Sequence, residues 1–178
     1  VCSKVSLVSG AWRHVAVTID QPRGRIQIFV EGALSNSGPM RENVPYGVFT
    51  VGTCVGAGPF RGSLDSILVL NKVLPEREVR AYATLRVKEP SLSRDPRRAS
   101  SSARFPALLL HLPFSTSAAR HPRYKHQLSL RDLRKDVGLG GHSFFFHGKR
   151  SAVIWKSYPF LTRQTLSFWV RPLSQKKQ

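Results

Sequence analysis

The chain has 178 residues, enough for one medium domain or two small ones, and its hydrophobic share of 41% permits a packed core. Charge is lopsided: residues 1–88 carry 11 Lys and Arg against 6 Asp and Glu, residues 89–178 carry 17 against 4, and the total is +18. No stretch approaches the ~18 apolar residues of a membrane helix, so membrane insertion is excluded as a working class, and the basic second half asks for a polyanionic partner or a solvated surface.

Val1 to Val8 reads as an opening strand, turned by Ser9-Gly10. From Trp12 to Leu34 two runs alternate with period two. Val15, Val17 and Ile19 oppose Ala16, Thr18 and Asp20; Ile26, Ile28 and Val30 oppose Gln27, Phe29 and Glu31. Asp20-Gln21-Pro22-Arg23-Gly24 between them supplies turn chemistry, and Gly32 marks the next bend. The prediction is an antiparallel hairpin with one apolar face that must pack on a second sheet. Residues 35–47, with two Pro, two Gly and two Asn, read as loop. Strands follow at Val48–Gly52 and Phe60–Leu70, separated by a Gly56–Pro59 turn. A helix is expected over Glu76–Leu85, with Pro75 at its first turn and acidic residues at the positive end of its dipole.

Residues 86–104 (RVKEPSLSRDPRRASSSAR) have linker composition, poor in large apolar groups and rich in Ser, Arg and Pro. Beyond them, strands are expected at Phe105–Phe114, Ser143–His147, Ala152–Trp155 and Thr165–Pro172, with a basic loop over 120–135. Of the 17 second-half cations, Arg120, Arg123, Lys125, Arg131, Arg134 and Lys135 fall within that loop, and Lys149 and Arg150 lie further on. Arg suits sulfate and carboxylate because its fork donates bidentately. Nucleic acid answers to the same charge, but stacking platforms between the cations are sparse and no finger or helix-turn-helix pattern is present.

Three segments carry a resemblance. Trp12, His14, Val15, Ala16, Val17 and Thr18, followed by Ile28–Gly32, resemble the "W-x-H-V-A-V-T" hairpin of the laminin-G-like and pentraxin-like group of concanavalin A-type jelly rolls. Phe60–Leu70 resembles that group's closing "F-x-G-x-[LI]-D-x-[LIV]" strand, and Leu74–Val79 the helical turn after it. Phe105–Phe114 resembles its opening strand, and Ser143–His147, Ala152–Trp155 and Thr165–Pro172 its next strands, the last carrying the "S-F-W-V-[RK]" signature. The resemblance implies an all-β antiparallel sandwich. Residues 1–85 would be the later half of one domain, 86–104 a linker and 105–178 the opening half of another. Because each half alone would expose sheet edges, the two are expected to join as one circularly permuted sandwich, the alternative being two incomplete half-domains.

The resemblance also implies a secreted, extracellular setting, which favours a Cys2–Cys54 disulfide; two separate buried thiols are the other reading of the same pair. The opening residues carry no signal-peptide pattern, and the chain reads as a segment of a longer protein. No E-x-D carboxylate pair of the kind glucanases use is present, so no catalytic residue is assigned. Ca²⁺ is implied only by analogy with relatives, since Asp20, Asn36 and Asp65 form no obvious acidic cluster. Gly148-Lys149-Arg150-Ser151 ends like a phosphate loop but has Ser143 where a Gly is required. The expectation is a non-catalytic recognition module for a glycosaminoglycan such as heparan sulfate, or for a matrix or cell-surface protein. The alternative is an accessory structural sandwich of a larger secreted protease or adhesion molecule.

Overall fold

A computed structural model describes residues 4–7, 10–40, 47–52, 59–84, 108–112, 128–139, 141–148, 151–158 and 161–173. The organising hairpin forms as predicted. β1 (Arg13–Asp20) and β2 (Arg25–Val30) pair antiparallel, with Val15 opposite Val30 and Ile19 opposite Ile26. A short 3₁₀ turn, Gln21–Arg23, joins them and ends at Gly24, whose φ of 57° is the left-handed conformation Gly tolerates. The next bend is a two-residue turn with Glu31 at φ 53° and Gly32 at φ 78°, the primed geometry that matches strand twist.

That turn leads into β3 (Ala33–Pro39), which corrects the predicted loop. β3 pairs with β2 from Ala33 to Pro39 and lies at the end of its sheet, where Pro39 costs no ladder bond on the open side. The opening strand is also corrected in part. Lys4–Leu7 has no strand structure; instead the Lys4 and Val5 N–H groups donate to Ser35 Oγ at 3.1 and 3.3 Å.

β4 (Gly47–Val51), β5 (Gly62–Leu70) and α1 (Glu76–Thr84) follow, then β6 (Leu108–Leu112). Two strands missed by the sequence reading, β7 (Leu128–Arg131) and β8 (Leu133–Val137), occupy the end of the expected basic loop. β9 (His142–Phe146), β10 (Ala152–Tyr158) and β11 (Arg163–Pro172) complete the set. The larger sheet runs β3-β2-β1-β11-β5-β9-β8, with β6 also on β5, and the smaller runs β4-β10-β7. All pairings are antiparallel. β11 lies between β1 and β5, and β10 pairs β4, so strands from before and after residues 85–107 share both sheets.

The main core lies between the sheets. Val15, Leu64, Ile67, Val69 and Val170 of the large sheet meet Val153, Trp155 and Tyr158 of the small one. One edge of β5 is shared: Gly62–Leu64 pair with β9 and Ile67–Leu70 with β6. Between them Ser66 sits at φ 50°, and two β5 residues oppose one of β11, a β-bulge. The far face of the large sheet is not the polar surface that alternation suggested. Ala16, Phe29 and Leu70 pack there under Leu74, Val79 and Tyr82 of the α1 region. α1 comes so close that a Cβ on Gly32 would stand 2.7 Å from Arg80 Cα. Thr165, fully buried, joins the layers: its hydroxyl donates to Lys72 O at 2.7 Å and accepts from Leu74 N–H at 3.0 Å. Among the described residues, no helix is long and apolar enough to cross a membrane.

His14 lies on the same side of β1 as Ala16, 1% exposed, its Nε2 2.8 Å from Ser167 Oγ and its ring edge-on to Trp169. Burial pushes its imidazole from 6.5 down to about 4. The unfolded chain therefore takes up that proton more readily than the folded one. Stability is unaffected by this group above pH 6.5 and falls as pH drops towards 4, by a total of about 3 kcal/mol. Denaturant unfolding at pH 7 and 4.5 should show this loss, and His14→Gln should remove most of it; an unchanged pH slope in the variant would contradict the assignment.

The shared sheets make a second prediction. Fragments 1–85 and 105–178 expressed separately should each lack cooperative unfolding, and mixing them should restore β-type circular dichroism with a cooperative transition. Independent folding of either fragment would show that it does not need the other's strands.

Candidate functional site

The basic surface is built where the chain crosses from the small sheet to the large one. Arg131 ends β7 opposite Ala152; after Asp132, at φ 46°, the chain enters β8. Ser151 fixes this corner, donating through Oγ to Asp132 O at 2.9 Å and accepting from His147 N–H at 2.8 Å. On β8, Arg134 stands opposite Phe145 and Lys135 opposite Phe144. Successive side chains on a strand face opposite ways, but β8 is the last strand of its sheet, so both reach solvent. Arg131, Arg134 and Lys135 are all exposed, and among the described residues none has a carboxylate within ion-pair distance.

Thus three of the predicted cations share one corner, on strands instead of in a loop. Arg120, Arg123, Lys125, Lys149 and Arg150 lie outside the described residues, as do Cys2 and Cys54.

A second polar cluster escaped the sequence reading. Arg171 Nη2 lies 2.6 Å from Asp136 Oδ2, and its guanidinium sits 5.0 Å over the Trp12 ring. Ser63 Oγ donates to the same carboxylate, and Val137 N–H donates to its other oxygen at 2.8 Å. The Ser63 hydrogen bond is the main cause holding the Asp136 carboxyl below its usual range; Val137 and Arg171 add to it, and partial burial opposes it. Ser143, small and fully buried on β9, stands between Asp136 and β5 and leaves room for the reach. The only sequence hint was Arg171 at the end of the S-F-W-V-R run.

The Ser167–His14 pair has a nucleophile and a base in contact, but both are at most 2% exposed and His14 Nδ1 has no hydrogen-bond partner to orient it. Asp20 is engaged by Arg23 at 3.2 Å and Arg163 at 3.5 Å, and Asp65 accepts from Leu139 N–H at 3.0 Å. Among the described residues no three of His, Cys, Asp and Glu gather to hold a metal ion, so these residues supply no acidic cluster for the Ca²⁺ of the analogy.

The comparison with protein families places this geometry. Residues 1–80 match a laminin-G family model described as the concanavalin A-like lectin/glucanases superfamily. Searches of curated proteins and of solved structures return no match. The matched segment holds the β1–β2 hairpin, β5 and the first turns of α1, and the antiparallel sandwich around it is the architecture of that superfamily. Over residues 1–80 the chain is similar to the laminin-G-like family of concanavalin A-like sandwich domains, which supports a laminin-G-like domain.

Proposed function

We propose that the protein is a non-catalytic extracellular recognition module whose basic surface binds a sulfated glycosaminoglycan or an acidic matrix or cell-surface protein. The family supports the coarser reading directly: a carbohydrate- or protein-binding module, of a generally non-catalytic kind. The observation that carries the finer reading is the corner formed by Arg131, Arg134 and Lys135. These are three exposed cations on an edge strand, each without a carboxylate partner among the described residues, next in sequence to Arg120, Arg123 and Lys125. Lys149 and Arg150 follow Gly148 in sequence and are included in this reading by their charge alone. In this reading residues 1–85 and 105–178 are the two halves of one permuted sandwich, joined by 86–104. The extracellular assignment and the Cys2–Cys54 bridge go with it.

Each exposed cation–sulfate contact is weak, about 0.2–1 kcal/mol by analogy with surface ion pairs, but several act together, and release of counterions makes the sum steeply salt-dependent. Replacing Arg120, Arg123, Lys125, Arg131, Arg134 and Lys135 by Ala should lower the salt concentration that elutes the protein from heparin while leaving the β-type circular dichroism intact. Unchanged elution would sink the proposal and leave the surface as solvated decoration. Thiol labelling of the unfolded, unreduced protein should find both cysteines blocked; two labelled thiols would remove the disulfide from this reading.

A further inference from the structure

Among the described residues, five strands have an open side: β3 and β8 of the large sheet, β4 and β7 of the small one, and β6 beyond β5. An open edge is a template for another strand, and proteins blunt it with charge, Pro or cover. Four of the five are blunted. β3 ends in Pro39, and the Lys4 and Val5 N–H groups donate to its Ser35 Oγ. β8 has Arg134, Lys135 and Asp136 among its residues, and β7 ends in the exposed Arg131. β6 has no exposed side chain among its described residues. β4 is different. Its sequence, Gly47-Val48-Phe49-Thr50-Val51, holds neither charge nor Pro; Val48 is 64% exposed, and Thr50 is exposed as well.

The pairing of β4 with β10 sets its faces. Val51 stands opposite Val153 and Phe49 opposite Trp155, so Phe49 and Val51 look towards the main core. Both are only partly buried there, and Phe49 stacks on Tyr158 with ring centroids 5.0 Å apart. Alternation turns Val48 and Thr50 to the outside. A second copy of β4, laid antiparallel and centred on Phe49, puts its Thr50 opposite Val48 and its Val48 opposite Thr50. Such cross-strand pairs of β-branched residues stabilise a ladder, and the two Phe49 rings meet where the two cores are open. The strand is thus self-complementary, as a two-fold contact requires.

Charge points to the same edge. Each copy carries +18, so two copies repel wherever their cations face each other. Pairing through β7 or β8 would bring two basic corners together. Pairing through β4 gives the strand order β7-β10-β4-β4-β10-β7 and sends the two β7 strands to opposite ends. With strands ~4.8 Å apart they are separated by roughly 24 Å. That is more than twice the Debye length of ~8 Å at physiological salt.

We propose that β4 is a docking edge for a second copy of this chain, which extends the small sheet into a continuous two-fold sheet. The contact uses none of the cations assigned to polyanion binding, so either can be absent without the other. A single strand pair buries little area, and the dissociation constant should be on the order of 100 μM. Sedimentation equilibrium of the full chain from micromolar to millimolar should show monomers and dimers in exchange. Association should tighten several-fold from about 0.05 to about 0.5 M sodium chloride as repulsion is screened, opposite to heparin binding. Val48→Lys should abolish dimers over this range, and Val137→Lys on β8 should leave them intact. If circular dichroism shows Val48→Lys to be misfolded, Thr50→Lys decides. Amide exchange at the β4 N–H groups not bonded to β10 should slow as concentration rises. A monomer throughout, dimers that persist in a folded β4 lysine variant, or dimers lost in folded Val137→Lys would overturn the proposal. So would slow exchange at those N–H groups at every concentration, because the chain itself would then cover the edge.

Discussion

The structure depends on one insertion: β11 lies between β1 and β5 and supplies both with their ladder partners. From Arg13–Val170 to Asp20–Arg163 the β1–β11 register is continuous over eight pairs, and β5 takes the opposite edge from Thr165–Leu70 to Pro172–Gly62. Without β11 each neighbour would present a row of unpaired backbone groups, in strands whose side chains are buried on both faces. Val170 would leave the main core and Thr165 would no longer link β5 to the segment entering α1. Because β11 comes from the far end of the chain, the fold closes only when residues separated by more than 90 positions meet, a topology that makes assembly slow.

Much of this was legible in the chain, for local reasons. The β1–β2 hairpin follows from period-two alternation and a Pro/Gly turn, both readable within a dozen residues. β9, β10 and β11 stood out through their aromatic and β-branched runs. β3 was hidden because Gly38 and Pro39 are loop residues by composition, yet an edge strand needs ladder bonds on one side only. β7 and β8 were hidden by their charge: Arg131, Arg134 and Lys135 read as loop cations, although an edge strand at a sheet corner exposes such side chains without cost. Alternation also assigned β1 a single buried face. The helix covers the other, and Ala16 and Phe29 end up as deeply enclosed as the Val15 side.

The polar sites divide along the same line. Cation density is a property of composition, so the basic corner could be anticipated without knowing which strands would carry it. The Trp12–Arg171–Asp136–Ser63 cluster could not, because its four members are scattered from residue 12 to residue 171 and come together only through cross-strand register. No spacing rule spans such distances. The resulting surface has two textures: loosely held cations at an edge, and a braced set of rings, guanidinium and carboxylate on a sheet face.

The bulge at Ser66 has a consequence for how this sequence can change. Leu64, Ile67 and Val69 all point into the main core, which two-residue alternation from Leu64 would forbid; the extra residue shifts the phase of the strand by one. It falls where β5 exchanges β9 for β6 as its neighbour. Loss of Ser66 itself would leave a regular strand in which Leu64, Ile67 and Val69 still face inward and Asp65 and Leu68 outward, so the face pattern survives and only the kink of the bulge is lost. The bulge is therefore a place where β5 tolerates a change of length, whereas a single-codon deletion of Leu68, in the regular ladder beyond it, would turn Val69 outward and Leu70 inward and reverse the two faces of the end of a central strand.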